Sequence, residues 1–361
     1  MMFSKDNYSL TEQGIHRLAF GSTQLQSLLL DIEDKLYSQQ WQNIEINKPI
    51  FITSLPRAGT TLLLELLNQL PELSTYLYRD MPFILTPLIW HKISSRFQVT
   101  SQKKERAHAD GLKINVDSPE AFEEIVWKRS FPEKYQSKQI PLWTETNCQL
   151  QKELHQQMQK QIAVRKLTSK MAVRYVSKNN ANIARLNIIK QGFPDAIVLI
   201  PFRHPLEQAI SLWKQHLHFT AIHAQDNFTY AYMQSIGHFE FGRLHKPLLF
   251  PRFNTLTANF SPLDLNYWLA YWISAFSYLL TYSSVSFIHY ESLCKSGAKG
   301  VKKLLARLDL TADERKLLNI CETLNAPPAS RFSDQFVDPS LKLESLTLYE
   351  ALIKRCLLNE E

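Results

Sequence analysis

The residues with the plainest chemical purpose lie in the stretch Ser54-Leu55-Pro56-Arg57-Ala58-Gly59-Thr60-Thr61. A short apolar run rich in β-branched residues, Pro49–Ser54, precedes the turn, and a leucine-rich helical pattern, Leu62–Leu70, follows it. A strand that turns sharply into a helix leaves several backbone N–H groups facing the crevice beyond the strand end, and the helix start adds partial positive charge. Such a turn is an anion site. It has the length of a phosphate loop, with Gly59 where the backbone must approach the ligand. The triphosphate loop of nucleotide hydrolases needs Lys and then Ser or Thr after its glycine. Here Thr60 and Thr61 stand in those places, and the cation, Arg57, has moved inside the loop. A lysine with a metal suits a highly charged triphosphate. An arginine fork with two hydroxyls suits a less charged oxyanion handled without magnesium.

A second group occurs in VLIPFRHPLEQAISLWK. Arg203 ends an apolar strand pattern, Pro205 stands at a helix start, and Ser211 follows two turns along. Both Arg203 and Ser211 can reach a phosphate at the same sheet edge. Lys178, in YVSKNN, ends another strand pattern and can reach that edge too. Taken singly, each has an ordinary reading as an exposed arginine or a solvated lysine. Combined with the loop, they define one oxyanion site.

The elements that must position these residues can be read from periodicity. Leu10–Tyr37 reads as one or two amphipathic helices. Strands are expected at Pro49–Ser54, Met171–Asn180, Ala196–Phe202 and Val285–Tyr290, each separated from the next by helical material. That alternation implies right-handed βαβ units and a mostly parallel sheet. Ser118 and Pro119 read as the N-cap and first position of a helix running through AFEEIVWK. Gln149–Lys170 reads as a long polar helix. Asn266–Leu280 is strongly apolar but short for a membrane span and carries Ser274 and Ser277, so it is expected as a buried core helix.

Composition narrows the function. The chain has 361 residues, 45% hydrophobic and 21% charged, ample for a packed core. A net charge of +7 and a pI near 9.0 favour anionic ligands. The basic residues are scattered rather than massed, which argues against nucleic acid as a partner. The four cysteines, Cys148, Cys294, Cys321 and Cys356, form no CxxC pair, which disfavours a metal knuckle and fits a reducing compartment. The N-terminus has no apolar core like that of a signal peptide, so a cytoplasmic location is expected.

PRAGTT followed by FRHPLEQAIS resembles the two cofactor signatures of sulfotransferases that use 3′-phosphoadenosine-5′-phosphosulfate (PAPS). The resemblance covers roughly Ile50–Leu293, where HYESL is similar to a further family segment; YRDMPF and SPEAFEE resemble the bacterial carbohydrate-type branch, and the tyrosylprotein-type branch is also similar. It implies a P-loop-like, three-layer α/β fold in a single domain over 1–361, with a helical extension over about 1–45 and a helical segment over about 297–361. It implies that Arg57, Ala58, Gly59, Thr60 and Thr61 bind the 5′-phosphosulfate, and that Arg203 and Ser211 bind the 3′-phosphate. Lys178 resembles the family lysine at the reacting centre. The implied activity is metal-free transfer of a sulfuryl group from PAPS to a hydroxyl of a carbohydrate, lipid or small molecule. The competing readings are a P-loop-type kinase and a non-catalytic nucleotide-binding protein.

Transfer needs a base for the acceptor proton. In the tyrosylprotein-type branch a glutamate shortly after the first helix serves. The nearest acid here is Asp80, offset by about two positions, and it is the expected base, with His108, Glu123 and Glu124 as rivals.

Overall fold

The computed structural model describes residues 10–94, 104–105, 113–144, 148–322, 324 and 336–357. Five strands form one parallel sheet: β1 (Ile50–Ile52), β2 (Leu73–Ser74), β5 (Arg174–Lys178), β6 (Ile197–Phe202) and β7 (Val285–His289), in the order β2-β5-β1-β6-β7. A separate antiparallel pair joins β3 (Lys104–Glu105) to β4 (Lys113–Ile114). The four expected parallel strands are present, and β2 is an additional edge strand too short to leave a periodic trace in the sequence.

All three residues of β1 are fully buried, as a central parallel strand requires. Its register sets Ile52 beside Lys178 of β5 and beside Leu199 of β6. Because every pairing is parallel, the carboxyl ends of the strands share one edge. The loop after β1, Lys178, and Arg203 after β6 all emerge there. The strand order reverses across β1, which is where ligands bind in open α/β sheets.

Helices cover the sheet. Thr60–Asn68 packs against β1, β2 and β5, and Cys148–Lys166 against β2 and β5. The apolar segment near residue 270 is the helix Leu265–Leu279, with Trp268 and Trp272 almost completely buried and Asp264 accepting from the Asn266 amide as its N-cap. No helix among the described residues is long and apolar enough to cross a membrane. The N-terminal segment is two helices, Leu10–Gly21 and Thr23–Trp41, divided where Ser22 leaves helical geometry and accepts from the Leu25 amide. Fully buried Glu33 on the second of these accepts from the Leu88 and Ile89 amides at 3.0 Å, at the start of helix Pro87–Ser94. Burial pushes the Glu33 carboxyl up to about 7, against the opposing pull of Lys160.

The helix expected from Ser118 starts later, at Glu124–Ser130. Residues 118–120 instead pair with the chain at 76–78: Tyr78 N donates to Ser118 O, and Glu120 N donates to Tyr76 O, both at 3.0 Å. The Ser118 hydroxyl serves a local turn, accepting from Asn115 N at 3.0 Å. Tertiary pairing overrides the local helix signal.

Beneath this segment lies a buried ion pair. Arg185, fully buried, donates to both oxygens of Glu124 at 2.7 and 2.6 Å. Glu124 also accepts from Asn179 Nδ2 at 2.8 Å and Tyr135 Oη at 2.6 Å. The guanidinium lies 4.6 and 4.5 Å from the ring centres of Trp127 and Trp143. Removing one partner leaves a buried uncompensated charge, so Arg185→Leu should cost about 3–5 kcal/mol in urea denaturation. The double replacement Arg185→Leu with Glu124→Leu should recover much of that loss; a single variant within 1 kcal/mol of wild type, by the same estimate, would show the pair to be dispensable.

Candidate active site

The loop between β1 and helix Thr60–Asn68 is anchored at its start by Thr53, whose amide donates to Leu199 O at 3.0 Å. At its middle, Gln208 Nε2 donates to Leu55 O and Pro56 O at 3.3 and 3.0 Å, while Gln208 Oε1 accepts from Trp272 Nε1 at 3.1 Å. Arg57 holds a left-handed backbone, φ 67°, unusual for a residue with a side chain. Gly59 follows at φ 91° as the N-cap of the helix. A Cβ on Gly59 would lie 2.3 Å from Cδ2 of Tyr290. Glycine is therefore required twice over, by the backbone and by the Tyr290 ring, rather than by ligand approach alone.

The two sequence signatures meet at this loop. Arg57 Nε donates to Ser211 Oγ at 3.0 Å, and Arg203 Nη1 donates to Arg57 O at 3.3 Å. Arg203 is buried and also faces Glu291, Nε to Oε1 at 3.4 Å. That carboxylate takes the His204 amide at 3.4 Å on the same oxygen, while its other oxygen lies 3.0 Å from His289 Nε2. Burial would raise the Glu291 carboxyl, but the His289 contact and the Arg203 charge outweigh it and hold it below the usual range. Tyr349 Oη in turn lies 2.7 Å from His289 Nε2.

A cavity opens from the loop. Arg57, Thr60, Thr61, Lys178 and Glu120 line it, together with a group of aromatic residues that includes Phe122, Tyr232, Phe239, Trp268 and Tyr271. Ala58, Gly59, Arg203 and Ser211 do not line it; the last two reach the loop through Arg57. Thr60 Oγ1 donates to Asn180 Oδ1 at 3.3 Å, tying the helix start to the exit of β5. Lys178 Nζ lies 3.6 Å from Glu120 Oε1, and Glu120 Oε2 accepts from Tyr78 Oη at 2.7 Å.

The structure places the expected base, Asp80, away from the cavity lining. Asp80 is buried, ion-paired with Arg165, accepts from the Leu77 amide at 2.8 Å, and does not line the cavity. It closes a structural corner between residues 77–80 and helix Cys148–Lys166. Glu123 is equally committed, accepting from Trp127 Nε1, Asn182 Nδ2 and Tyr175 Oη at 2.9, 2.7 and 2.7 Å. Glu124 lines the cavity but is held by Arg185. His108 lies outside the described residues. The acid that both lines the cavity and meets Lys178 is Glu120, which sequence reasoning missed. Its signal was slight: it stands three residues before Glu123, inside a segment that reads as the first turn of a helix.

Among the described residues no three His, Cys, Asp or Glu side chains converge as metal ligands would. The donors gathered at the sheet edge are two guanidiniums, an ammonium, hydroxyls and a helix N-terminus. This is a set for oxyanions.

Residues 49–244, more than half of the chain, match the family model described as the sulfotransferase family. The chain belongs to the sulfotransferase family. Among solved structures it is similar to sulfotransferase STF9 from Mycobacterium avium, with 13% identity, a TM-score of 0.54, and coverage of 93% of this chain and 83% of that one. It is also similar to sulfotransferase STF1 from Mycobacterium tuberculosis H37Rv, with 14% identity, a TM-score of 0.51, and coverage of 94% and 86%. At such identities these likenesses speak for the fold. No curated protein sequence matches the chain.

The Gly59 geometry is open to test. Gly59→Ala should strain the loop against Tyr290 and cost about 1–3 kcal/mol of stability, the range of a strained backbone position. Urea denaturation measures it. The companion Gly59→Ala with Tyr290→Ala should regain only part of the loss, because the positive φ remains unfavourable; complete recovery would assign the whole requirement to the ring contact.

Proposed function

We propose that the protein transfers a sulfuryl group from PAPS to the hydroxyl of an acceptor. The observation that carries this reading is the convergence of Arg57, Ser211 and Arg203 on one strand-to-helix loop, with Lys178 at the neighbouring strand end. These donors fit the nucleotide in two parts. Arg57, Thr60, Thr61 and the loop amides hold the 5′-phosphosulfate, and Arg203 with Ser211 takes the 3′-phosphate.

The bound nucleotide supplies an activated sulfur: the acceptor oxygen–sulfur bond forms while the sulfur–oxygen bond to the 5′-phosphate breaks, and the electron pair stays on the phosphate. The chain's own groups do the rest. Glu120 takes the acceptor proton. Tyr78, donating to its far oxygen, fixes the carboxylate's direction. Lys178, 3.6 Å from Glu120 and lining the same cavity as the loop, is the ammonium that stabilises negative charge on the bridging oxygen. Arg57 adds a second cation to the same side.

Two measurements test the roles. Losing a charge-assisted contact costs roughly 2–4 kcal/mol, so Arg203→Ala should weaken binding of 3′-phosphoadenosine-5′-phosphate (PAP) on the order of thirtyfold to several hundredfold. Adenosine 5′-phosphosulfate, which lacks the 3′-phosphate, should lose far less, and only through the Arg57 carbonyl contact. Equal losses for the two nucleotides would make Arg203 a purely structural residue.

The base is tested separately. Glu120→Gln should lower kcat by about 10²–10⁴ while PAP affinity stays near wild type. Asp80→Asn should instead act on stability through Arg165, with the turnover of folded protein retained. A Glu120→Gln enzyme with full kcat would return the role to another group.

A further inference from the structure

The cavity's lining is of two kinds. Arg57, Thr60, Thr61, Lys178 and Glu120 bring charge and hydroxyls, while Phe122, Tyr232, Ile236, Phe239, Trp268 and Tyr271 form the largely carbon wall of its chamber. Several of the polar atoms in and around that wall are engaged within the protein. Trp268 Nε1 donates to Pro262 O at 2.9 Å, and Tyr271 Oη accepts from the Leu248 amide at 2.9 Å. His245 is held between Glu240 O at 2.7 Å and Tyr267 Oη at 2.8 Å. Burial pushes its imidazole down to about 3, so it is neutral at ordinary pH. Lys246 is turned onto Tyr135 O. Glu240, facing Asn180 Nδ2 at 3.3 Å and His238 at 3.4 Å, adds a carboxylate to the one at Glu120.

A ligand entering the chamber meets carbon. A sugar would surrender water on several hydroxyls against a wall whose donors on Trp268 and Lys246 are already spent within the protein, and each uncompensated polar group is costly. The ionised groups lining the cavity are of both signs, Glu120, Glu124 and Glu240 against Arg57, Lys178 and Lys246, so it offers a charged acceptor no excess of opposite charge. Flat rings match the aromatic walls. We propose that the acceptor is an uncharged, apolar compound, aromatic or alicyclic, which buries its carbon framework in this chamber and presents one hydroxyl to Glu120 and Lys178. The proposal rests on the donor reading for its chemistry, but the seating of the framework stands on the chamber alone.

The test uses the full chain without nucleotide, titrated with 2-naphthol and, separately, with glucose. The aromatic alcohol should saturate, and glucose should bind at least about a hundredfold more weakly, a gap of about 2.8 kcal/mol. Ile236 lines the chamber and is only partly buried, so Ile236→Glu places a charge there with little strain on the core. It should weaken 2-naphthol roughly tenfold or more while PAP affinity is unchanged. Should that variant misfold by circular dichroism, Ile236→Ala should still weaken 2-naphthol severalfold. Glucose binding as well as 2-naphthol, or a folded Ile236→Glu that binds 2-naphthol like wild type, overturns the proposal. Failure of wild type to bind PAP would instead refute the donor reading and leave the 2-naphthol result standing.

Discussion

A fully buried guanidinium has to be neutralised, and the way this chain does so organises everything around it. Arg185 pairs with both oxygens of Glu124, and Glu124 then reaches Asn179 just past the end of β5. One ion pair thus fastens helix Glu124–Ser130 to the strand end that carries Lys178 and Asn180. The cost of leaving either charge alone in the interior is several kcal/mol, so the arrangement tolerates little slack. The strand exit it fixes also supplies Asn180, which holds the first residue of the loop helix through Thr60. Rigidity at the sheet edge is inherited from this buried ion pair.

The loop itself is braced from the opposite side. Gln208 and Trp272 hold its carbonyls, and the Tyr290 ring occupies the space a side chain on Gly59 would need. Strain in the Arg57 backbone is carried by these braces. The result is an arginine whose main chain and side chain are separately gripped, the first by Arg203 and the second by Ser211. An anion arriving there finds its donors already oriented, which lowers the reorganisation that binding or catalysis would otherwise require.

What the sequence made legible followed from how local each feature is. The loop could be read because proline, arginine, glycine and paired threonines lie within eight residues between a strand pattern and a helix pattern. Arg203 and Ser211 could be read because a strand end and a helix turn fix their separation. Glu120 could not. Its place depends on residues 118–120 pairing with 76–78, a contact between segments some forty residues apart, and the local Ser-Pro signal pointed to a helix instead. The surroundings of Asp80 were hidden for the same reason: its partner, Arg165, lies 85 positions away. Edge strand β2, two residues long, is defined only by its neighbour β5.

The sequence of contacts Tyr349, His289, Glu291, Arg203 has a meaning for how such an enzyme could diverge. Tyr349 sits on the helix Pro339–Lys354, well past the end of the family-matched segment at residue 244. That helix packs against Leu265–Leu279 and, through the histidine and the glutamate, touches the arginine that stands behind the loop. Substitutions in this distal helix can re-aim Arg203 while every residue that would meet the nucleotide stays the same. The aim of Arg203 and the make-up of the loop therefore depend on separately adjustable parts of the chain. A graft of the matched segment onto another scaffold would carry the loop but lose the part that tunes it.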